Sequence, residues 1–345
     1  MQKYSLRKLK KFSFLFGTTV CICVLWALGV LDYFSEISFE EFRWYPDVDV
    51  KEQVRLLLDN KPPSSEPINN WNALKPETLP ACLFNGTVLE KNFLLIAVKS
   101  SATNILTLNF QYREAIRKTW GRTKFYSGFH IRVIFLIANL KSNDANRYGA
   151  ALQEERRRHN DLLVGNFYDG YFNNTYKFLN AIQYANNFCD KYGTVPFALL
   201  VDDDYMVSIP NLIKEIKNWK STDRLYMGWR FDSKPFRLRF HRYRVSLSVY
   251  PYDRYPPYIT AGAVLLSGQA IREIYSAVQF VKLFLFDDIY MGIIAYLIRL
   301  PPIHNKQMHF HYYWIRNADA AEFVCVHGYS GDFLQKTYER IGMAS

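Results

Sequence analysis

The stretch Ala198-Leu199-Leu200-Val201 carries no polar side chain and runs directly into Asp202-Asp203-Asp204. Successive side chains of a strand point to opposite faces, so a strand that is apolar throughout must be covered on both. Similar runs recur at Phe93 to Val98, Arg132 to Ala138, Leu162 to Val164 and Phe197 to Val201, with helical patterns between them at Gln111 to Trp120 and Lys177 to Phe188. This alternation predicts an α/β sheet with helices on both faces. A hydrophobic fraction of 49% and an aromatic fraction of 17% exclude a disordered chain. We place one catalytic-size domain over residues 85–345.

The formal net charge of +11 first suggests a polyanion binder, but its distribution argues otherwise. Lys3, Arg7, Lys8, Lys10 and Lys11 lie in the first eleven residues, where there is no acid. Arg230, Lys234, Arg237, Arg239, Arg242, Arg244 and Arg254, set against Asp232 and Asp253, form a second cluster. Together these clusters hold nearly all of the excess. Residues 1–11 are expected to be a cytoplasmic tail. The uncharged stretch from Phe12 to Leu31 is predicted to be a single transmembrane signal anchor (12–31), with the bulk of the chain across the membrane. The competing reading, a cleaved signal peptide, lacks a small-residue cleavage pattern after Leu31. A nucleic-acid partner is excluded by that placement.

Pro46, Pro62, Pro63, Pro67, Pro76 and Pro80 mark residues 32–84 as a stem or linker, because repeated prolines deny both helix and central strand. The sequons at Asn85 and Asn173 suit an extracytoplasmic body. Cys82, Cys189 and Cys325 are an odd number outside the apolar span, so connectivity is not legible, and no Cys/His spacing suggests structural zinc.

Three adjacent carboxylates at the end of a buried strand invite a cation, since ligands gather at the carboxyl ends of strands in open α/β sheets. A hard divalent ion shared with a diphosphate fits, as does a polar loop capping the helix near Pro210. Asp287-Asp288 precedes an apolar helical run, where one carboxylate can be a general base or merely a cap. Arg113 and Arg117, four apart, share a helix face and suit either phosphate or a solvated face paired with Glu114. His327 lies among apolar neighbours and is read as a core histidine or a metal ligand.

Taken in order, Arg113 to Gly121 (REAIRKTWG), Val201 to Tyr205 (VDDDY), Tyr255-Pro256-Pro257-Tyr258, Asp287 to Gly292 (DDIYMG) and Val326-His327 resemble the motifs of the β-1,3-glycosyltransferase family of animal Golgi membranes, the β-1,3-galactosyltransferase-like group. The resemblance implies a GT-A, Rossmann-like mixed sheet behind a single anchor helix, in a type II protein of the Golgi membrane with a lumenal catalytic domain. It implies inverting transfer of galactose or an N-acetylhexosamine from a UDP-sugar to a hydroxyl of a glycan carried by lipid or protein. It also assigns roles: Asp288 as base; Asp204, His327 and Asp202 on Mn²⁺; Arg113, Arg117, Asp202 and Asp203 toward the UDP-sugar; Tyr255 and Tyr258 on the acceptor side. The segment FYDGYFNNTYK, with Asp169 and Lys177, is similar to the family's but carries no assigned role.

Two departures stand out. Asp287 replaces the family's Glu, and Ile259 stands where the family has Cys, which leaves the expected disulfide absent or rewired. Both concern sugar identity more than reaction type. A non-catalytic sugar-binding or docking protein on the same scaffold is the alternative class. The second basic cluster is expected to face an acidic acceptor or an anionic membrane surface, or to be a solvated loop. Oligomeric state is not legible.

Overall fold

The computed structural model describes residues 2–81, 92–102, 109–187, 195–310 and 319–342. Asn85, Cys82 and Cys189 lie outside them. The chain forms two compact units, Met1–Arg43 with Asp232–Pro256, and Trp44–Phe231 with Pro257–Ser345. The single domain expected over 85–345 is thus interrupted at Asp232–Pro256, which groups with the amino-terminal segment.

In the first unit, α1 (Gln2–Ala27) is followed by the short α2 (Val30–Tyr33). The expected span Phe12 to Leu31 is not one helix. It breaks at Gly29, whose φ of +70° is left-handed and where a Cβ would meet the Arg237 carbonyl. Among the described residues no helix is long and apolar enough to cross a membrane. Arg237, expected at the surface, is fully buried. Its guanidinium donates to Glu36 at 2.7 Å and to the carbonyls of Val245 and Tyr252 at 2.9 Å each. Tyr255 is also buried, its amide donating to the Ser233 carbonyl and its ring 4.8 Å from that of Tyr250.

The second unit opens with the proline-rich segment, expected to be a stem or linker in which prolines deny helix, yet it holds a helix at Val50–Leu58. Asp49 accepts the Glu52 amide at the start of α3 (Val50–Leu58), and Gln53 holds Ser64 through both ends of its side-chain amide. Trp71 stacks on Tyr275 at 4.5 Å, Asn69 donates to the carbonyls of Val278 and Val281, and Thr78 bridges to Val164. Prolines deny this segment a ladder of its own, so its polar groups are satisfied by docking onto the body.

The body then runs β1 (Phe93–Lys99), α4 (Asn109–Lys118), β2 (Phe125–Tyr126), β3 (Phe129–Asn139), α5 (Ser142–His159), β4 (Leu162–Tyr168), α6 (Asn174–Asn187), β5 (Phe197–Asp202), β6 (Tyr205–Val207), α7 (Ile209–Ile216), β7 (Tyr226–Phe231), β8 (Tyr258–Leu266), α8 (Gly268–Val278), α9 (Asp287–Leu297), β9 (Ile303–His304), β10 (Met308–His309), β11 (Cys325–His327) and α10 (Gly331–Arg340). The main sheet has the order β2-β3-β1-β5-β8-β7-β9, with β4 also on β3. Strands β4, β3, β1 and β5 are parallel, as their apolar runs predict, and β8 turns antiparallel against β5. A small second sheet, β10-β11-β6, sits where β5 ends. The mixed α/β fold is therefore as expected, while β7 and β8 have no counterpart in the sequence reading.

Candidate active site

Two strand ends define the site. In the β1 and β5 register Lys99 lies opposite Asp202, and the Asp203 amide donates to the Lys99 carbonyl. The chain then turns through Asp203 and Asp204 into β6. Trp120 fixes that turn by donating its indole N–H to the Tyr205 carbonyl at 3.2 Å, and Gly262 makes room for the Tyr205 hydroxyl, which any Cβ there would strike. Trp120, from the REAIRKTWG segment, and Gly262 of β8 thus serve one turn.

The three consecutive acids have three environments. Asp203 is buried and accepts from Ser100 Oγ and Asn109 Nδ2, each at 2.7 Å. Burial nevertheless raises its pKa to about 6, with those hydrogen bonds opposing. Asp202 pairs with Lys99 Nζ at 3.0 Å. Desolvation raises it to about 7, Lys99 pulls it back, and the charges of Asp204 and Asp287 push it further up. Asp204 instead meets His327: Oδ2 is 3.1 Å from Nε2, while Oδ1 is buried with no hydrogen-bond partner. The pairing follows from the small sheet, in which His327 is opposite Tyr205 and the amides of Gly328 and Tyr329 donate to the Asp204 carbonyl. The hydrogen bond to Asp204 raises the His327 pKa above its ordinary value.

An orphaned carboxylate oxygen beside an imidazole is a donor set suited to a divalent ion, because a buried acceptor left unmatched is costly. Among the described residues no three His, Cys, Asp or Glu side chains converge as a closed metal site. Two protein ligands with the remainder from substrate phosphate and water is the arrangement typical of a substrate-bridging ion.

The second acidic run meets the first through Lys99. Its Nζ, nearly buried, lies 2.7 Å from Asp287 Oδ2 as well as beside Asp202. Desolvation lowers the ammonium pKa, but the two carboxylates outweigh it and keep Lys99 charged. Asp288 has no such partner. Its Oδ1 accepts the Ile289 amide at 2.8 Å in the first turn of α9, and desolvation together with the Asp287 charge raises its pKa to about 7, against backbone hydrogen bonds and the charge of Lys99. Both acids lie in the first turn of α9, whose N-cap residue is Phe286, so Asp288 is not the cap residue. Asp288 shares a small cavity with Lys99, Leu200, Ala261, Val264 and Met291. Gly292 lets α9 approach β8, since a Cβ there would lie 2.6 Å from the Tyr258 Cβ.

Several expected contacts fall elsewhere. Arg113 is buried in a double hydrogen bond to Glu155 (2.7 and 2.6 Å) and donates to Ser100 Oγ at 3.0 Å, so it braces the partner of Asp203. Arg117 is held by Asp161, Glu155 and Glu114. Carboxylates thus occupy both guanidinium groups, which differs from the anticipated nucleotide contacts. Tyr258 is buried against α9 rather than open to an acceptor. Asn173 donates to the Tyr168 carbonyl, and the Thr175 hydroxyl of its sequon is buried on the Phe284 carbonyl. Cys325 is a buried free thiol.

Asp169 and Lys177, without a role in the sequence reading, pair at 2.6 Å and clamp the loop after β1: Asp169 accepts the Ala102 amide and Lys177 donates to the Ser100 carbonyl. Lys99, Ser100, Asn109 and Glu155 were missed. The available signal for Lys99 was a cation closing the otherwise apolar strand FLLIAVK; the others carried none.

The galactosyltransferase family profile matches residues 111–306. The chain is 34% identical to beta-1,3-galactosyltransferase bre-5 of Caenorhabditis elegans over 98% of its own length and 96% of that protein. It is 32% identical to beta-1,3-galactosyltransferase brn of Drosophila melanogaster, covering 82% and 81%. It is 26% identical to UDP-GalNAc:beta-1,3-N-acetylgalactosaminyltransferase 1 of Mus musculus, covering 61% and 62%.

Proposed function

Since the chain belongs to the galactosyltransferase family, we propose that it is a β-1,3-glycosyltransferase that moves galactose, or an N-acetylhexosamine, from a UDP-sugar to a hydroxyl of a glycan. The observation that carries the reading is the meeting of the two acidic runs through Lys99, which pairs with Asp202 and Asp287 and leaves Asp288 on the first turn of α9 in the same small cavity. In one displacement the acceptor hydroxyl gives its proton to Asp288. Its oxygen bonds the anomeric carbon from the face opposite the leaving group, and the bond from that carbon to the diphosphate breaks, releasing UDP with inversion. Asp287 and Lys99 hold the charge beside the base. Asp203 anchors the strand-end turn through Ser100 and Asn109, and Asp204 with His327 would hold Mn²⁺. Such an ion, when bound, offsets the charge that builds on the leaving diphosphate.

The same reading places the protein as a single-pass type II protein of the Golgi membrane with the body in the lumen. Five basic residues before Phe12 and acids from Asp32 onward support that orientation, as do the exposed Phe12, Phe14, Leu15 and Phe16 of α1. The full chain in detergent, given a panel of UDP-sugars and glycan acceptors with and without EDTA, tests it. Transfer from at least one UDP-sugar, lost on chelation and restored by Mn²⁺, is expected. Failure to release UDP with every donor and acceptor would return the chain to the non-catalytic class, and chelator-insensitive transfer would remove the ion.

A further inference from the structure

The segment Phe236-Arg237-Leu238-Arg239-Phe240 is built inside out. Its apolar side chains are exposed, Phe240 at 82%, while Arg237 is buried and Arg239 is mostly covered. A segment made for water reverses this alternation. The arginines are held inward by specific partners: Arg237 by Glu36, and Arg239 by Asp32 at 3.0 Å with its guanidinium 4.6 Å over the Trp26 ring. The Arg239 amide also donates to the Ala27 carbonyl, and Arg239 Nε donates to the Trp26 carbonyl. A cation and donors thus satisfy the last carbonyls of α1.

This docking sets the exposed ridge at the carboxyl end of α1. The exposed apolar surface of that helix continues through Leu28 and Leu31 to Phe34, itself 84% exposed. Exposed Lys234 and Arg242 flank the ridge. Aromatic and basic side chains mixed at the end of an apolar helix are the composition of a membrane–water interface.

We propose that Phe236, Leu238 and Phe240 lie in the headgroup region of the bilayer where α1 leaves it, with Lys234 and Arg242 on lipid phosphates. The chain around Arg237 and Arg239 is then a collar that fixes the first unit to the membrane surface. The inference rests on the anchored reading of α1 and adds a second membrane contact beside it.

The test uses the full chain in phosphatidylcholine–phosphatidylserine vesicles with brominated acyl chains, which quench indole fluorescence on contact. Three proteins carry it: wild type, Trp26→Phe and Phe240→Trp, with Ser248→Trp as a reference at another exposed position of the same unit. The fluorescence added by Phe240→Trp should fall by roughly half in brominated vesicles, as expected for a ring at the headgroup and acyl boundary, and that added by Ser248→Trp should not. Quenching of the Trp26 contribution with Trp at 240 unquenched and open to iodide would overturn the ridge contact and leave the anchor standing. Trp at 240 unquenched and also shielded from iodide would assign the ridge to a protein partner, overturning it in favour of that class. Neither position quenched would overturn the anchor itself.

Discussion

Asp202-Asp203-Asp204 closes a strand and Asp287-Asp288 opens a helix, and backbone geometry separates the acids differently in each. At the strand end the side chains diverge: Asp203 is drawn inward to Ser100 and Asn109, Asp202 turns to Lys99, and Asp204 reaches His327. At the helix start the first acid reaches Lys99 while the second folds back on its own first turn. In both runs Lys99 pairs with the first acid, Asp202 or Asp287, and on the proposed reading the last acid of each run, Asp204 or Asp288, is the one left for chemistry. The proposed division of roles thus follows from which acids the Lys99 ammonium reaches, not from which residues are acidic.

The comparison breaks first at Asp288. Asp288→Asn should lower kcat by about a thousandfold, within the range of general-base catalysis, with little change in the affinity for UDP as measured by calorimetry. In the wild type, Asp288 accepts a proton only when ionised, so kcat/KM should rise with pH and level off above about 7. A profile flat from pH 5 to 8 would remove Asp288 from the role. The strand-end counterpart is Asp204→Ala, which on the proposed reading should cost about a hundredfold or more and shift half-saturation by Mn²⁺ upward, since it removes one of the two proposed protein ligands. His327→Ala should act in the same direction and less strongly.

Lys99 is where the two runs meet, and Lys99→Met sharpens the comparison. It leaves two partly buried carboxylates without their cation, and because Asp202 is over a third exposed the loss of stability should fall below the about 3–5 kcal/mol of a fully buried pair. Lys99 lowers the pKa of Asp288, so its removal raises that pKa and moves the rising limb of kcat/KM to higher pH. At neutral pH the rate should then drop by about tenfold for every pH unit that the limb moves. Lys99→Arg should recover much of the stability, as read by thermal denaturation.

How legible this was follows from the kind of interaction. Apolar periodicity located β1, β3, β4 and β5 because burial on both faces leaves a continuous apolar run in each, in β4 only over its first half. It was silent for β7, whose second half, Trp229-Arg230-Phe231, is only partly covered, and the break at Gly29 cut a stretch that composition alone reads as continuous. Asp204, His327 and Asp288 stood out by their place beside apolar runs, with more than one reading open for each, and the family resemblance is what proposed a single role for each. Which of the acids stays unmatched was not legible, since that depends on Lys99 at a distance of 188 residues from Asp287. Arg113 and Arg117 misled for the same reason: helix spacing reveals that they share a face, but not that Glu155 and Asp161 cover it.

The finest distinction concerns Asp287, where the related pattern carries Glu. If its task is only to match Lys99, a carboxylate one methylene longer still reaches Nζ, and Asp287→Glu should change kcat by about threefold or less, with repacking costing about 1–3 kcal/mol at this largely covered position. Asp287→Asn keeps the shape and removes the charge. Because the Asp287 charge raises the Asp288 pKa, the amide should move the rising limb of kcat/KM to lower pH, opposite to Lys99→Met. Parallel pH profiles of the two Asp287 variants read this out. Should Asp287→Glu lose activity as heavily as Asp288→Asn, the division of labour between the adjacent acids fails, and Asp287 would itself be touching substrate.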